Sequence, residues 1–194
     1  MDAIGFLLTG GFFVSFMSGN STRLAVGLAE GASYAGLALS LIAAFVAGVS
    51  TGALIGRKAG PRRGPAVLAF VALALALAAV LAMVAPLPAA ILVLAFAMGA
   101  ENTVFAQDGE VRVGLTYMTG ALVKLGKAIT AALLGEDRFG WAPHLLLWLG
   151  LVAGAALGAL AFRLLGPAAL WIAASAMAAL AALAARLDLA PATA

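Results

Sequence analysis

Ser18, Gly19, Asn20, Ser21, Thr22 and Arg23 stand in a row in a chain otherwise rich in Ala, Leu, Val and Gly. Their types suit one kind of chemistry. Asn20 or Ser21 is the expected N-cap of a helix running to Glu30, with Gly19 supplying tight backbone before it. Such a terminus presents free N–H groups and a positive dipole potential, and Arg23 adds a cation one turn in. At ~11 residues the helix covers roughly half a bilayer, which puts its start near the midplane. That combination is a cradle for a small anion or polar solute; the alternative is that Arg23, and Lys124 in the second half, snorkel to an interface or neutralise Glu101 and Asp108.

The group occurs twice. Ser15-Phe16-Met17-Ser18-Gly19 returns as Thr116-Tyr117-Met118-Thr119-Gly120, and Arg23-Leu24 returns at the same offset as Lys124-Leu125. Further on, Val46-Ala47-Gly48, Gly52-Ala53-Leu54 and Gly60-Pro61 have counterparts in Val152-Ala153-Gly154, Gly158-Ala159-Leu160 and Gly166-Pro167. A longer loop around Glu136-Asp137-Arg138 accounts for the changed offset. Internal repeats are the usual build of transporter folds. The candidate binding residues are therefore Ser18, Gly19, Asn20 and Arg23 in one half, and Thr119, Gly120 and Lys124 in the other.

The elements that must position these residues are set by the solvent. Of 194 residues, 65% are hydrophobic and only 10% charged, with a mean hydropathy of +1.14. A soluble domain carries nearer a quarter charged residues. Tyr34–Gly56, Ala66–Ala85, Leu87–Ala106, His144–Leu165 and Ala168–Leu187 each approach or exceed the ~20 residues a bilayer-crossing helix needs. The chain reads as an all-α, polytopic membrane protein. Its net charge of +3 reflects basic loops, above all Arg57, Lys58, Arg62 and Arg63, which mark the cytoplasmic side and give no reason to expect nucleic acid. With no cysteine there is no disulfide framework, and no metal or other cofactor is expected.

Two tandem membrane repeats follow, residues 1–86 and 87–194. Each holds three spans plus one broken or re-entrant helix, and the first span is shortened to Asp2–Thr9 in the first half. Residues 87–135 would run roughly 70 Å as one helix, so they divide at Gln107-Asp108-Gly109-Glu110. Elements 11–30 and 114–135 either cross or re-enter. Re-entry inverts the second half and leaves only Arg163 outside; crossing instead places Arg138 and Arg186 outside. The clustering of cations on one side favours inversion.

At Asp2-Ala3-Ile4-Gly5-Phe6, Met17-Ser18-Gly19-Asn20 and Thr116-Tyr117-Met118-Thr119-Gly120 the chain resembles the YoaK family of small bacterial inner-membrane proteins. Their shared domain has no assigned function. The resemblance covers nearly the whole length and implies a multi-pass inner-membrane location. It also implies an apolar stretch before the Asp-Ala pair, which here opens the chain.

Other residues have quieter readings. Glu101 and Asn102 are a candidate proton or ion relay, or else buried partners for a cation. Gly48-x-x-x-Gly52 and Gly154-x-x-x-Gly158 are expected as close-packed seams. His144 is the sole histidine, and there is no phosphate loop or nucleophile elbow, so catalysis is not expected. The favoured function is a small-solute transporter or channel, with an accessory subunit of a larger membrane complex as the alternative; the expected partners are the bilayer, a small anionic or polar solute, and a second copy in a homodimer or a larger membrane complex. A membrane-embedded enzyme comes third.

Overall fold

The computed structural model describes residues 1–104, 106–107, 110–111 and 118–187. Asp108, Gly109, Arg112, Thr116 and Tyr117 of the sequence motifs lie outside them. The order is α1 (Asp2–Thr9), α2 (Met17–Glu30), α3 (Tyr34–Ala59), α4 (Arg63–Val84) and α5 (Leu87–Glu101). The two-residue strands β1 (Ala106–Gln107) and β2 (Glu110–Val111) follow, then α6 (Met118–Leu133), α7 (Ala142–Leu165) and α8 (Ala169–Arg186). Among the described residues the regular elements are helices apart from that small antiparallel ribbon, in which Ala106 pairs with Val111.

Tyr34–Val84 and Ala142–Arg186 are the stretches long and apolar enough to cross a membrane, and each is a pair of helices. Both pairs turn the same way. Gly60 has φ 55° and ψ −122°, Gly166 has φ 58° and ψ −142°, and each opens a short 3-10 turn with proline next. Only glycine adopts that backbone without strain, and proline fits the first turn of the helix beyond it.

The core is centred on α5, which packs against both α3 and α4, while α4 also lies along α8. Small residues make the α3–α5 approach close. A Cβ on Gly48 would strike the carbonyl oxygen of Phe96, and one on Gly99 would strike that of Phe45. On Gly52 it would lie 2.9 Å from the Ala100 Cα. Gly48 beside Phe96 and Gly52 beside Ala100 mean that α3 and α5 run in the same direction. Leu41, Leu75, Leu94 and Val71 fill the space between. Around this core, α2 packs on α3, α6 on α7, and α1 on α7.

The second glycine seam is not built. Gly154 meets nothing within 4 Å, and Gly158 only touches Ile4 of α1 at an ordinary 3.7 Å. The pattern matches Gly48 and Gly52, but among the described residues no helix arrives there as α5 does. The outer face of α7 is apolar: Leu146, Leu157 and Leu164 are each about two-thirds exposed or more. Such surface is at home in lipid.

Candidate functional site

The break in the chain lies before the polar row, not inside it. Helix α1 ends at Thr9, where Gly10 (φ 66°) and Gly11 (φ 126°) turn the backbone, and α2 begins at Met17 with Phe16 as N-cap. Gly19 is therefore inside the first turn of α2. The expected cap at Asn20 or Ser21 is displaced: Ser21 bonds back to the Met17 carbonyl at 2.8 Å and Thr22 to that of Ser18 at 3.2 Å. Inside a helix these side chains satisfy carbonyls one turn back instead of capping.

Residues 10–16 are irregular, and side chains far along the sequence close their backbone bonds. The Asp2 carboxylate accepts the N–H groups of Val14 (2.8 Å) and Ser15 (2.7 Å), and its other oxygen takes the Ser15 hydroxyl. Asn20, fully buried, accepts the Phe13 N–H at 3.1 Å and donates to the Phe13 carbonyl at 2.7 Å. Thr9 accepts the Phe12 N–H at 2.8 Å while its hydroxyl reaches the Gly5 carbonyl at 2.8 Å. No buried side-chain polar atom among the described residues lacks a partner. A polar group stranded in an apolar surrounding costs several kcal/mol, so this small network is what permits a loop here.

Aromatic rings form the walls. Phe13 lies 5.2 Å from both Phe6 and Phe16, meeting Phe16 edge to face. Gly19 sits under them, since a Cβ there would lie 2.6 Å from the Phe16 ring. The Arg23 guanidinium stacks on Phe12, 4.7 Å from its centroid, and lies against Gly11. Phe12 in turn stands 6.3 Å from Tyr34, whose hydroxyl donates to Glu30 at 2.7 Å. Because Arg23 comes back alongside Gly11 and Phe12, α2 runs in the direction of α1. Residues 10–16 are the return stroke between them.

The residues named from sequence are thus divided. Asn20 belongs to the wall, with its amide taken by Phe13. Ser18 is exposed, and Arg23 is half-buried with its cation on an aromatic face. Thr119 and Lys124 are exposed on α6 and Gly120 is half-buried in its first turn; α6 packs on α7, away from the α2–α3 pair. Glu101 ends α5, with the Met1 amino group and Asp2 as the charges that act on it. The helix stops there, short of the expected Ala106: the backbone tightens into turns, with the Thr103 N–H on the Ala100 carbonyl (3.0 Å) and the Val104 N–H on that of Glu101 (3.1 Å), while the Asn102 amide donates to the Met98 carbonyl (2.9 Å). Arg63 then fixes this end, its Nε donating to the Thr103 carbonyl at 3.1 Å.

Sequence reasoning missed Asp2 and Thr9 as parts of the site. One signal was available: an acid inside an apolar segment rarely goes without a partner or a role. Among the described residues no three acidic or histidine side chains form a metal-holding group.

A family model described as a protein of unknown function (DUF1275) matches residues 1–183. A protein of Rhizobium meliloti (strain 1021), named as a UPF0700 transmembrane protein, is 40% identical over 168 residues, which is 87% of this chain and 72% of the relative. No solved structure matches the chain.

Proposed function

The chain belongs to the DUF1275 family, and from that premise we propose that it is a multi-pass protein of the bacterial inner membrane, built from two inverted halves, that passes a small anion or polar solute through a site near the bilayer midplane. Packing supports the two halves. The first helix of each lies on the third helix of the other, α5 on α3 and α1 on α7. The second and third helices pair within each half, α2 with α3 and α6 with α7, and the two fourth helices, α4 and α8, meet each other. The matched turns at Gly60-Pro61 and Gly166-Pro167 fall at the same place in each half.

Inversion has its own support. Helix α5 runs with α3, while α1 runs against α5, because Asp2 at the start of α1 lies by Glu101 at the end of α5. Counterparts that run oppositely belong to inverted halves, and re-entry of residues 10–30 makes each half odd in its crossings. This order puts Lys58, Arg138 and Arg186 on the cytoplasmic side and Arg163 opposite.

The carrying observation is the irregular backbone of residues 10–16. Its Val14-Ser15 end bonds to Asp2, which lies by Glu101 at the end of α5, and that end abuts Gly52 in the interior of α3, which supports a place within the membrane. Interrupted helices at depth, in inverted repeats, are how many transporters build a solute site. In this reading each half offers its own binding face, α2 with the charge of Arg23, the hydroxyl of Ser18 and the close backbone of Gly19, and α6 with Lys124, Thr119 and Gly120 in the same roles. Glu101 and Asn102 serve as an ion relay, and Asn20 holds the loop in shape. One observation favours a second reading, an accessory subunit: Asp2, Thr9, Ser15 and Asn20 all bond within the chain. Purified protein screened for thermal stabilisation by small anions and polar solutes, then tested for their flux in proteoliposomes, separates the two. Stabilisation and flux by one solute class are expected. If no solute stabilises and flux equals that of empty vesicles, the accessory reading stands.

A further inference from the structure

We propose that the groove between α4 and α8 binds one anionic phospholipid, with an acyl chain lying along the groove and the phosphate at Arg62. The site does not depend on the transport reading. Its floor is alanine: Ala69, Ala72 and Ala76 of α4 and Ala174, Ala178 and Ala181 of α8 line it. Side chains that stop at Cβ leave space between two long helices, here a cavity of about 620 Å³. From Trp171 to Ala185 the α8 wall runs about 21 Å at 1.5 Å per residue, a length suited to an extended hydrocarbon chain. Leu73, 71% exposed, forms a raised rim. Ser175 is the one hydroxyl in the lining, so the groove offers almost nothing to a polar occupant.

The charge is at one end. Pro65 lines the groove where α4 starts, next to the turn around which Arg57, Lys58, Arg62 and Arg63 gather at the adjoining helix ends. Arg62 is exposed and closes the 3-10 turn three residues before Pro65, at the end of the groove where α4 begins. Arg63 is turned away to Thr103. No Asp or Glu occurs anywhere between Glu30 and Glu101, or in α8, so no acid within these segments offsets the cations. An apolar trough that opens beside an exposed arginine at the end of a membrane helix complements an acyl chain joined to a negative headgroup, and basic residues at the cytoplasmic surface attract anionic lipid.

Native mass spectrometry of the detergent-purified protein tests this by titration with phosphatidylglycerol and with phosphatidylcholine of the same acyl chains. One phosphatidylglycerol should be retained in preference. Arg62→Gln should weaken it about fivefold, the worth of one basic residue near an anionic surface, and leave phosphatidylcholine unchanged. Ala182→Leu, an exposed lining position whose change need not disturb the helix contact, should weaken both lipids by occupying the trough. Equal retention of the two lipids, or phosphatidylglycerol binding that neither variant alters, overturns the site. So does a lipid-free dimer that Ala182→Leu disrupts, because a second copy would then fill the groove. Retention of glycerol phosphate as strong as that of the whole lipid would remove the acyl part of the proposal.

Discussion

Asn20 holds the peptide unit of Phe13 from both sides, accepting its N–H at 3.1 Å and donating to its carbonyl at 2.7 Å. Seven residues separate the two, and the intervening chain has just turned from an irregular segment into helix. One side chain thereby replaces the two backbone bonds that a continuous helix would have made.

Replacing Asn20 by Ala should strand both groups in an apolar surrounding, at about 1–3 kcal/mol each. Asn20→Asp should be milder in shape and still costly, because it offers an acceptor to the N–H and nothing to the carbonyl. Unfolding in mixed micelles reads this directly. Equal stability of wild type and Asn20→Ala would mean that water reaches the Phe13 peptide.

Asp2 makes the companion contact from α1, and Asp2→Ala should destabilise more than Ser15→Ala, since Asp2 serves two backbone N–H groups and Ser15 only one carboxylate oxygen. Asp2→Asn should fall between them, as the amide oxygen still accepts. Matched losses in Asp2→Ala and Ser15→Ala would place the whole effect in the hydroxyl bond.

The glycine seams give a contrast within one fold. Gly48→Leu should push α3 from α5 and cost several kcal/mol, because the neighbour is the Phe96 carbonyl and backbone yields little. Gly154→Leu, in the same sequence pattern, faces open space and should leave the yield of folded protein unchanged. Loss of folded protein with Gly154→Leu would mean that a helix packs on the Gly154 face of α7.

That contrast also marks what sequence alone conveys. The helices α3, α4, α7 and α8 were legible because long apolar runs end at Gly-Pro, and α1 came out as read, Asp2–Thr9. Local rules failed where the partner was distant. Asn20 has the type of an N-cap, and nothing nearby announces that its amide will be claimed by Phe13. Gly48 and Gly154 share neighbours in sequence but not in space. The break was foreseen within a few residues and misplaced because Gly10 and Gly11, not Gly19, carry the positive φ angles.

Orientation is testable because the chain has no cysteine of its own. Single cysteines at Lys58, Arg138 and Arg186 should all be shielded from an impermeant maleimide added outside cells, and one at Arg163 should react. Labelling at Arg138 and Arg186, with Arg163 shielded, would mean that residues 10–30 and 118–133 cross the membrane and that the halves are parallel.

The functional claim turns on Arg23. Its guanidinium rests on Phe12 at 4.7 Å, a contact of about 1 kcal/mol when partly exposed. Arg23→Gln should therefore lower stability only slightly, and Lys124→Gln, at an exposed position, should lower it less still. If the two cations attract a solute anion, each Gln variant should reduce solute-induced stabilisation and flux, while Arg23→Lys, which keeps the charge, should retain most of both. A stacked structural arginine behaves differently: Arg23→Lys would lose stability along with Arg23→Gln, because the planar face is what meets Phe12, and solute response would be absent in every form. Stability and solute response measured on the same four proteins decide between these outcomes. A stability loss shared by both Arg23 variants with no solute response would leave Arg23 as a prop for the loop.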